Sequence, residues 1–157
     1  MKILVSACLL GYNYKYNGKN NYNKELVEFL KNQEIDVIPI CPEYFGGLSI
    51  PRNPSERICD KVMMNNNRDV TEMFNIGAQK ALKLAIENNC KLAIMKAKSP
   101  SCGFGEIYDG TFSGVLKKGN GVTSDLFIEN NIVICNEMNY EKFVLEYKKI
   151  YESEKWI

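Results

Sequence analysis

The stretch Lys91-Leu92-Ala93-Ile94-Met95-Lys96 sets four consecutive apolar residues between two lysines, and Ser99-Pro100-Ser101-Cys102-Gly103 follows almost at once. A short apolar run closed by turn formers is the pattern of a strand buried on both faces. Strands of that kind belong to parallel sheets covered by helices. Upstream, Phe74, Ala78, Ala81, Leu82, Ala85 and Ile86 recur at helical spacing within Thr71 to Asn89. Asp69 or Thr71 supplies a cap for that helix. Downstream, Ile107 to Gly114 reads as a glycine-punctuated loop, Gly121 to Asn130 as a helix and Ile132 to Cys135 as a strand. Tyr140 to about Lys155 reads as a terminal amphipathic helix.

The first half repeats the alternation. Lys2 to Cys8 is a β-rich apolar run ended by Leu10-Gly11, and Tyr12 to Asn23 is a loop. Lys24 to Asn32 has helical spacing, and Ile35 to Ile40 is a second short strand that stops at Cys41-Pro42-Glu43. Tyr44 to Cys59, with two glycines and two prolines, reads as a long loop of the kind that often carries function. Lys61 to Val70 reads as a small hairpin turning at Asn65-Asn66-Asn67. Strands alternating with helices predict an α/β fold. The expectation is one compact three-layer domain over residues 1–157, Rossmann-like, with a mainly parallel sheet and helices on both faces.

In such sheets ligands bind beyond the carboxyl ends of the strands. That rule sorts the six cysteines. Cys8, Cys41 and Cys102 each fall at or just after a strand end, on the ligand side. Cys90 precedes a strand and belongs to the opposite pole, and Cys135 lies in or near the end of the last strand. Cys59, in a loop, fits either side.

Composition narrows the chemistry. The 157 residues are 45% hydrophobic and 25% charged, ordinary for a globular domain. Twenty basic against nineteen acidic residues weighs against nucleic acid as a partner. No apolar run approaches the roughly 18 residues of a membrane span. The apolar stretch before Cys8 is too short for a signal peptide, so the expected location is cytoplasmic and bridged cysteines are disfavoured. The chain has no histidine, which removes histidine-based triads and histidine-ligated zinc. Clustered thiolates are soft ligands for zinc, copper(I) or iron–sulfur clusters. No C-x-x-C pair occurs, so any such site is assembled by the fold rather than by local spacing.

The strand-end motifs together resemble a bacterial family, long catalogued as a domain of unknown function, with members described as thiouracil desulfurases. The matching pieces are Val5-Ser6-Ala7-Cys8-Leu9-Leu10-Gly11, Cys41-Pro42-Glu43, Gly46-Gly47-Leu48, Pro51-Arg52-Asn53-Pro54-Ser55-Glu56 and Asp69-Val70-Thr71. Ser99-Pro100-Ser101-Cys102-Gly103, Ile107-Tyr108-Asp109-Gly110-Thr111-Phe112-Ser113-Gly114 and Gly119-Asn120-Gly121-Val122 complete an ordered set. One departure is Lys15-Tyr16-Asn17-Gly18, where the family usually has Arg-Tyr-Asp-Gly; lysine keeps the charge and loses the planar fork.

The resemblance implies a [4Fe-4S] cluster held by Cys8, Cys41 and Cys102, with the fourth iron open. It implies desulfuration of thiolated pyrimidines, 2-thiouracil or 4-thiouracil to uracil, by non-redox hydrolytic C–S cleavage. Glu43, Ser99 and Ser101 match catalytic positions. The implied partners are a small-molecule thiolated nucleobase and the machinery of cluster assembly. Arg52 is a candidate for the substrate's polar edge, with an ion pair to Glu56 as the plainer alternative. The four tyrosines at 12, 14, 16 and 22 fit either a stacking wall or loop packing, and Lys96 and Lys98 fit solvated positions. Gly119-Asn120-Gly121 fits either an anion-binding helix start or a tight turn. Two other functions stay open: desulfuration of a thiolated nucleoside or tRNA, and a non-enzymatic module whose thiols hold zinc or sense oxidation.

Overall fold

The computed structural model describes residues 1–154. Four strands form the central sheet: β1 (Lys2–Ser6), β2 (Asp36–Ile40), β5 (Leu92–Met95) and β8 (Val133–Asn136). They lie in the order β2-β1-β5-β8, and every pairing is parallel. Strand side chains alternate between faces. Ile3 and Val5 of β1 and Leu92 and Ile94 of β5 meet Leu26 and Leu30 of α1 (Lys24–Asn32) and Tyr140 and Val144 of α5 (Tyr140–Glu154). Leu4, Ala93 and Met95 meet Ala81, Leu82 and Ala85 of α3 (Thr71–Glu87) and Phe127 of α4 (Val122–Glu129) on the other face. The three-layer α/β reading therefore holds.

The α1 boundaries agree with the sequence, and Asn23 caps it by accepting the Leu26 N–H at 3.0 Å. The α3 start is different from either expected cap. Val70 is the N-cap residue, Asp69 accepts the Thr71 N–H, and the Thr71 hydroxyl accepts the Val62 N–H instead. Of the terminal helix expected to about Lys155, that last residue lies outside the described residues.

Three segments read as loop or turn are more ordered than expected. Pro42–Phe45 is a short helix, α2. Within the supposed loop to Cys59, Ser55–Ile58 forms β3 and pairs antiparallel with β4, Lys61–Met64. The hairpin thus turns at Cys59-Asp60. The asparagine turn also exists, but one step later, where Met63 bridges Asp69 and the Met64 N–H bonds the Arg68 carbonyl. The loop after the cysteine turn contains another hairpin, β6 (Glu106–Tyr108) with β7 (Leu116–Lys118). Strands of three or four residues are too short to show periodicity. Among the described residues no helix is long and apolar enough to cross a membrane.

Candidate active site

The chain leaves β1 for β2 on one side and later returns to β5 on the other. Such a change of side opens a crevice at the carboxyl ends of the strands. Cys8 stands there in a 3-10 turn, Ala7–Leu10, that follows β1 and stops at Gly11 in the left-handed region. Cys41 follows β2 as the N-cap residue of α2, and Glu43 lies in that helix's first turn. Cys102 sits in the turn after β5. All three cysteines, with Glu43, Arg52, Ser99 and Ser101, line one cleft of about 560 Å³.

Two close backbone contacts hold these segments. A Cβ on Gly77 of α3 would lie 1.8 Å from the Pro42 carbonyl oxygen, so α3 packs directly on the segment carrying Cys41 and Glu43. A Cβ on Gly121 would lie 2.3 Å from the Ser101 carbonyl carbon. That contact lets the start of α4 clasp the cysteine turn. The N–H groups of Gly121, Val122 and Thr123 donate to the carbonyls of Gly103, Pro100 and Ser101 at 2.8–2.9 Å, and Ser124 Oγ donates to the Cys102 carbonyl at 2.8 Å. Free amides at a helix start need partners. Here the cysteine turn supplies them, so Gly119-Asn120-Gly121 is a structural clasp rather than an anion site.

The polar groups form a directed chain. Ser99 Oγ accepts the N–H groups of Ser101 and Cys102, both at 3.1 Å, and lies 3.0 Å from Ser101 Oγ. A hydroxyl has two lone pairs and one hydrogen. With both lone pairs taken, the Ser99 hydrogen points to Ser101. Ser101 in turn donates to Glu43 Oε2 at 3.1 Å, and its Oγ is 3.5 Å from Cys102 Sγ. Arg52 holds the other oxygen, Oε1, from Nε at 3.3 Å and Nη2 at 3.2 Å. Its side chain is 4% exposed and that of Glu43 16%. Arg52 also donates to the carbonyls of Tyr14 and Ser49. The alternative Arg52–Glu56 pair does not form, because Glu56 is taken by the amides of Gly110 and Phe112.

Burial pushes all three thiols up: Cys8 above its ordinary value, Cys41 to about 11 and Cys102 to about 12. For Cys102 the nearby hydroxyls of Ser6 and Ser101 oppose the rise. Cys41 and Cys102 sense the charge on Cys8, and Cys102 also senses Cys41, as expected for neighbours around one cleft. Among the described residues no three His, Cys, Asp or Glu side chains are placed to hold a single metal ion.

The expected candidates converge, and the other three cysteines, Cys59 left open by the sequence among them, do not. Cys90 and Cys135 are buried in the two cores, Cys59 is exposed in the β3–β4 turn, and none of the three lines the cleft. Tyr14 stacks on Tyr44 at 4.7 Å, and Tyr22 packs on Gly11. Lys15 lines the cleft with its ammonium 5.8 Å from the Tyr16 ring. Lys96 is not simply solvated. It is partly buried beside Cys8, paired with Glu137 at 3.0 Å, and Glu137 also accepts the Ala97 N–H. Sequence reading missed this pair, since Glu137 lies far along the chain beyond β8.

Known proteins share this sequence and this fold. The family model described as 2-thiouracil desulfurase matches residues 3–139. A relative from Bacillus subtilis (strain 168), the uncharacterized protein YbbK, is 38% identical, over 87% of this chain and 97% of its own. A solved structure, the [4Fe-4S]-dependent thiouracil desulfidase TudS, is 36% identical and superposes with a TM-score of 0.87, covering 94% of this chain and 97% of that one. From the cysteine-lined crevice to the span of these matches, the observations give one conclusion: the chain belongs to the 2-thiouracil desulfurase family.

Proposed function

We propose that the protein desulfurates thiolated pyrimidines, converting 2-thiouracil or 4-thiouracil and water to uracil and hydrogen sulfide. The observation that carries the proposal is the meeting of three thiols from three strand ends with the Ser99–Ser101–Glu43 chain in one cleft. The donor set fits a [4Fe-4S] group. It is all sulfur, with no histidine, and the three thiols line one cleft. Cys8, Cys41 and Cys102 would hold the cluster, and cluster-assembly machinery would supply it. When bound, it supplies a thiophilic Lewis acid for the substrate's sulfur.

The chain's own groups manage the proton. Arg52 fixes Oε1 of Glu43 and leaves Oε2 facing Ser101. Glu43 takes a proton at Oε2 from the attacking water and returns it to the ring nitrogen or departing sulfur. Ser101, in contact with both Glu43 and Cys102, is the hydroxyl that moves with this transfer. Ser99 holds Ser101 in place and orients the turn toward the substrate. The thiocarbonyl carbon loses sulfur and gains oxygen with no change in oxidation state.

The test is anaerobic reconstitution, then incubation with 2-thiouracil and 4-thiouracil. Uracil and free sulfide should appear as thiocarbonyl absorbance falls. Full activity in iron-free, colourless protein would overturn the cluster, and two untouched substrates in loaded protein would overturn the function.

A further inference from the structure

The far end of the cleft is built by the two small hairpins rather than by the parallel sheet. Ser55, Glu56, Asn65, Tyr108, Phe112 and Gly114 line it. Phe112 is the unusual member. Its φ is +55°, a region that residues with side chains seldom occupy. Backbone strain of this kind persists only where the surroundings over-determine it, and it clusters at ligand sites.

The surroundings do over-determine it. One oxygen of Glu56, Oε1, accepts both the Gly110 N–H at 2.9 Å and the Phe112 N–H at 3.0 Å. Glu56 is 9% exposed and comes from the other hairpin. A Cβ on Gly110 would fall 2.3 Å from Ile58 Cγ1, so the loop is seated directly on that hairpin. Within the loop, Asp109 accepts from the Thr111 N–H and hydroxyl, and Thr111 bonds Ser113. Yet the ring that all of this orders is not packed away. Phe112 is 37% exposed. A strained, braced backbone thus holds a partly open aromatic residue in the lining of the cleft.

We propose that Phe112 is the ring-binding residue of the site, stacking on the planar face of the pyrimidine, with Glu56 as the positioning residue that holds the loop. The inference rests on the proposed function and deepens it, because it assigns recognition of the ring separately from recognition of the sulfur. Stacking is indifferent to substituents on the ring edge, so product and substrate should both feel it.

The test uses cluster-loaded protein and uracil, which has the ring and no sulfur, as a competitive inhibitor of 2-thiouracil turnover. Loss of one base–aromatic stack corresponds to a weakening of roughly fivefold or more. In Phe112→Leu the uracil Ki and the thiouracil KM should rise together by that factor, with kcat changing far less and the cluster absorbance intact. Phe112→Tyr should keep both constants. Phe112→Gly relieves the left-handed backbone, so its Tm should hold or rise while the uracil Ki still rises. A packing residue would show the opposite, a fall in Tm with no change in Ki, and that result overturns the inference. An unchanged Ki in both Phe112→Leu and Phe112→Gly, with wild-type turnover normal, overturns it alone. A wild type that neither turns over thiouracil nor binds uracil overturns the proposed function and this inference with it.

Discussion

Arg52 directs two nitrogens at one carboxylate oxygen and almost none of its surface at water. We propose from that arrangement that Arg52 holds Glu43 in place, with the expected substrate contact as the alternative, since Arg52 also lines the cleft. Arg52→Lys keeps the charge but loses the fork. Its kcat for thiouracil should fall while KM holds, whereas a direct substrate contact would raise KM. Glu43→Gln should keep the cluster and lower kcat by roughly 10²–10⁴-fold, the usual weight of a general acid or base; unchanged kcat would remove Glu43 from the mechanism. Cys8→Ala, Cys41→Ala and Cys102→Ala should each lose the reconstituted cluster, read as iron content and visible absorbance. Cys90→Ala should keep it, since Cys90 lies at the amino end of β5, away from the cleft. At this scale the sequence was legible because strand ends can be located, and a thiol or carboxylate beside one has few other places to go. The Lys96–Glu137 pair was not legible, because nothing local ties Glu137 to the end of β5.

The elements bearing the site are held by backbone contacts where a methyl group has no room. Gly121→Ala would drive a Cβ into the Ser101 carbonyl. Overpacking of this kind costs on the order of 1–3 kcal/mol. For a chain of this size each kcal/mol lowers Tm by about 2–4 °C. Because the contact is with the cysteine turn itself, the variant should also retain less cluster; wild-type iron content and Tm would show that the clasp is dispensable. The sheet strands and long helices were readable from periodicity and burial. The asparagine turn after β4 was readable too, but β3 and the β6–β7 hairpin were not, because their three- or four-residue strands sit among glycine, proline and asparagine and acquire order only by docking on each other. Gly110 against Ile58 and Glu56 on the Phe112 loop are contacts between distant segments, invisible to any local pattern.

Over the whole molecule, buried thiols tie stability to pH. Burial pushes Cys135, held in β8 between the sheet and α5, up to about 12. In the unfolded chain an ordinary thiol ionises near pH 8.5. The stabilising contribution is therefore complete below about pH 8.5 and is lost progressively as pH climbs from there to the folded value. In iron-free protein, Tm should drop between pH 8 and pH 10, and Cys135→Ala should shrink that drop; an equal drop in both would assign it to other groups. The strand order β2-β1-β5-β8 has one more result, which concerns timing. Two of the three proposed ligands, Cys8 and Cys41, come from the first third of the sequence and Cys102 from the second, and they meet only through the central position of β1, whose later neighbour, β5, is made long after it. A ribosome that has released Cys8 and Cys41 has not yet released the turn that completes the set. On the proposed ligation, no cluster can be fully held until that turn has been made, so delivery of iron and sulfide belongs to the later part of the chain's history and not to its beginning.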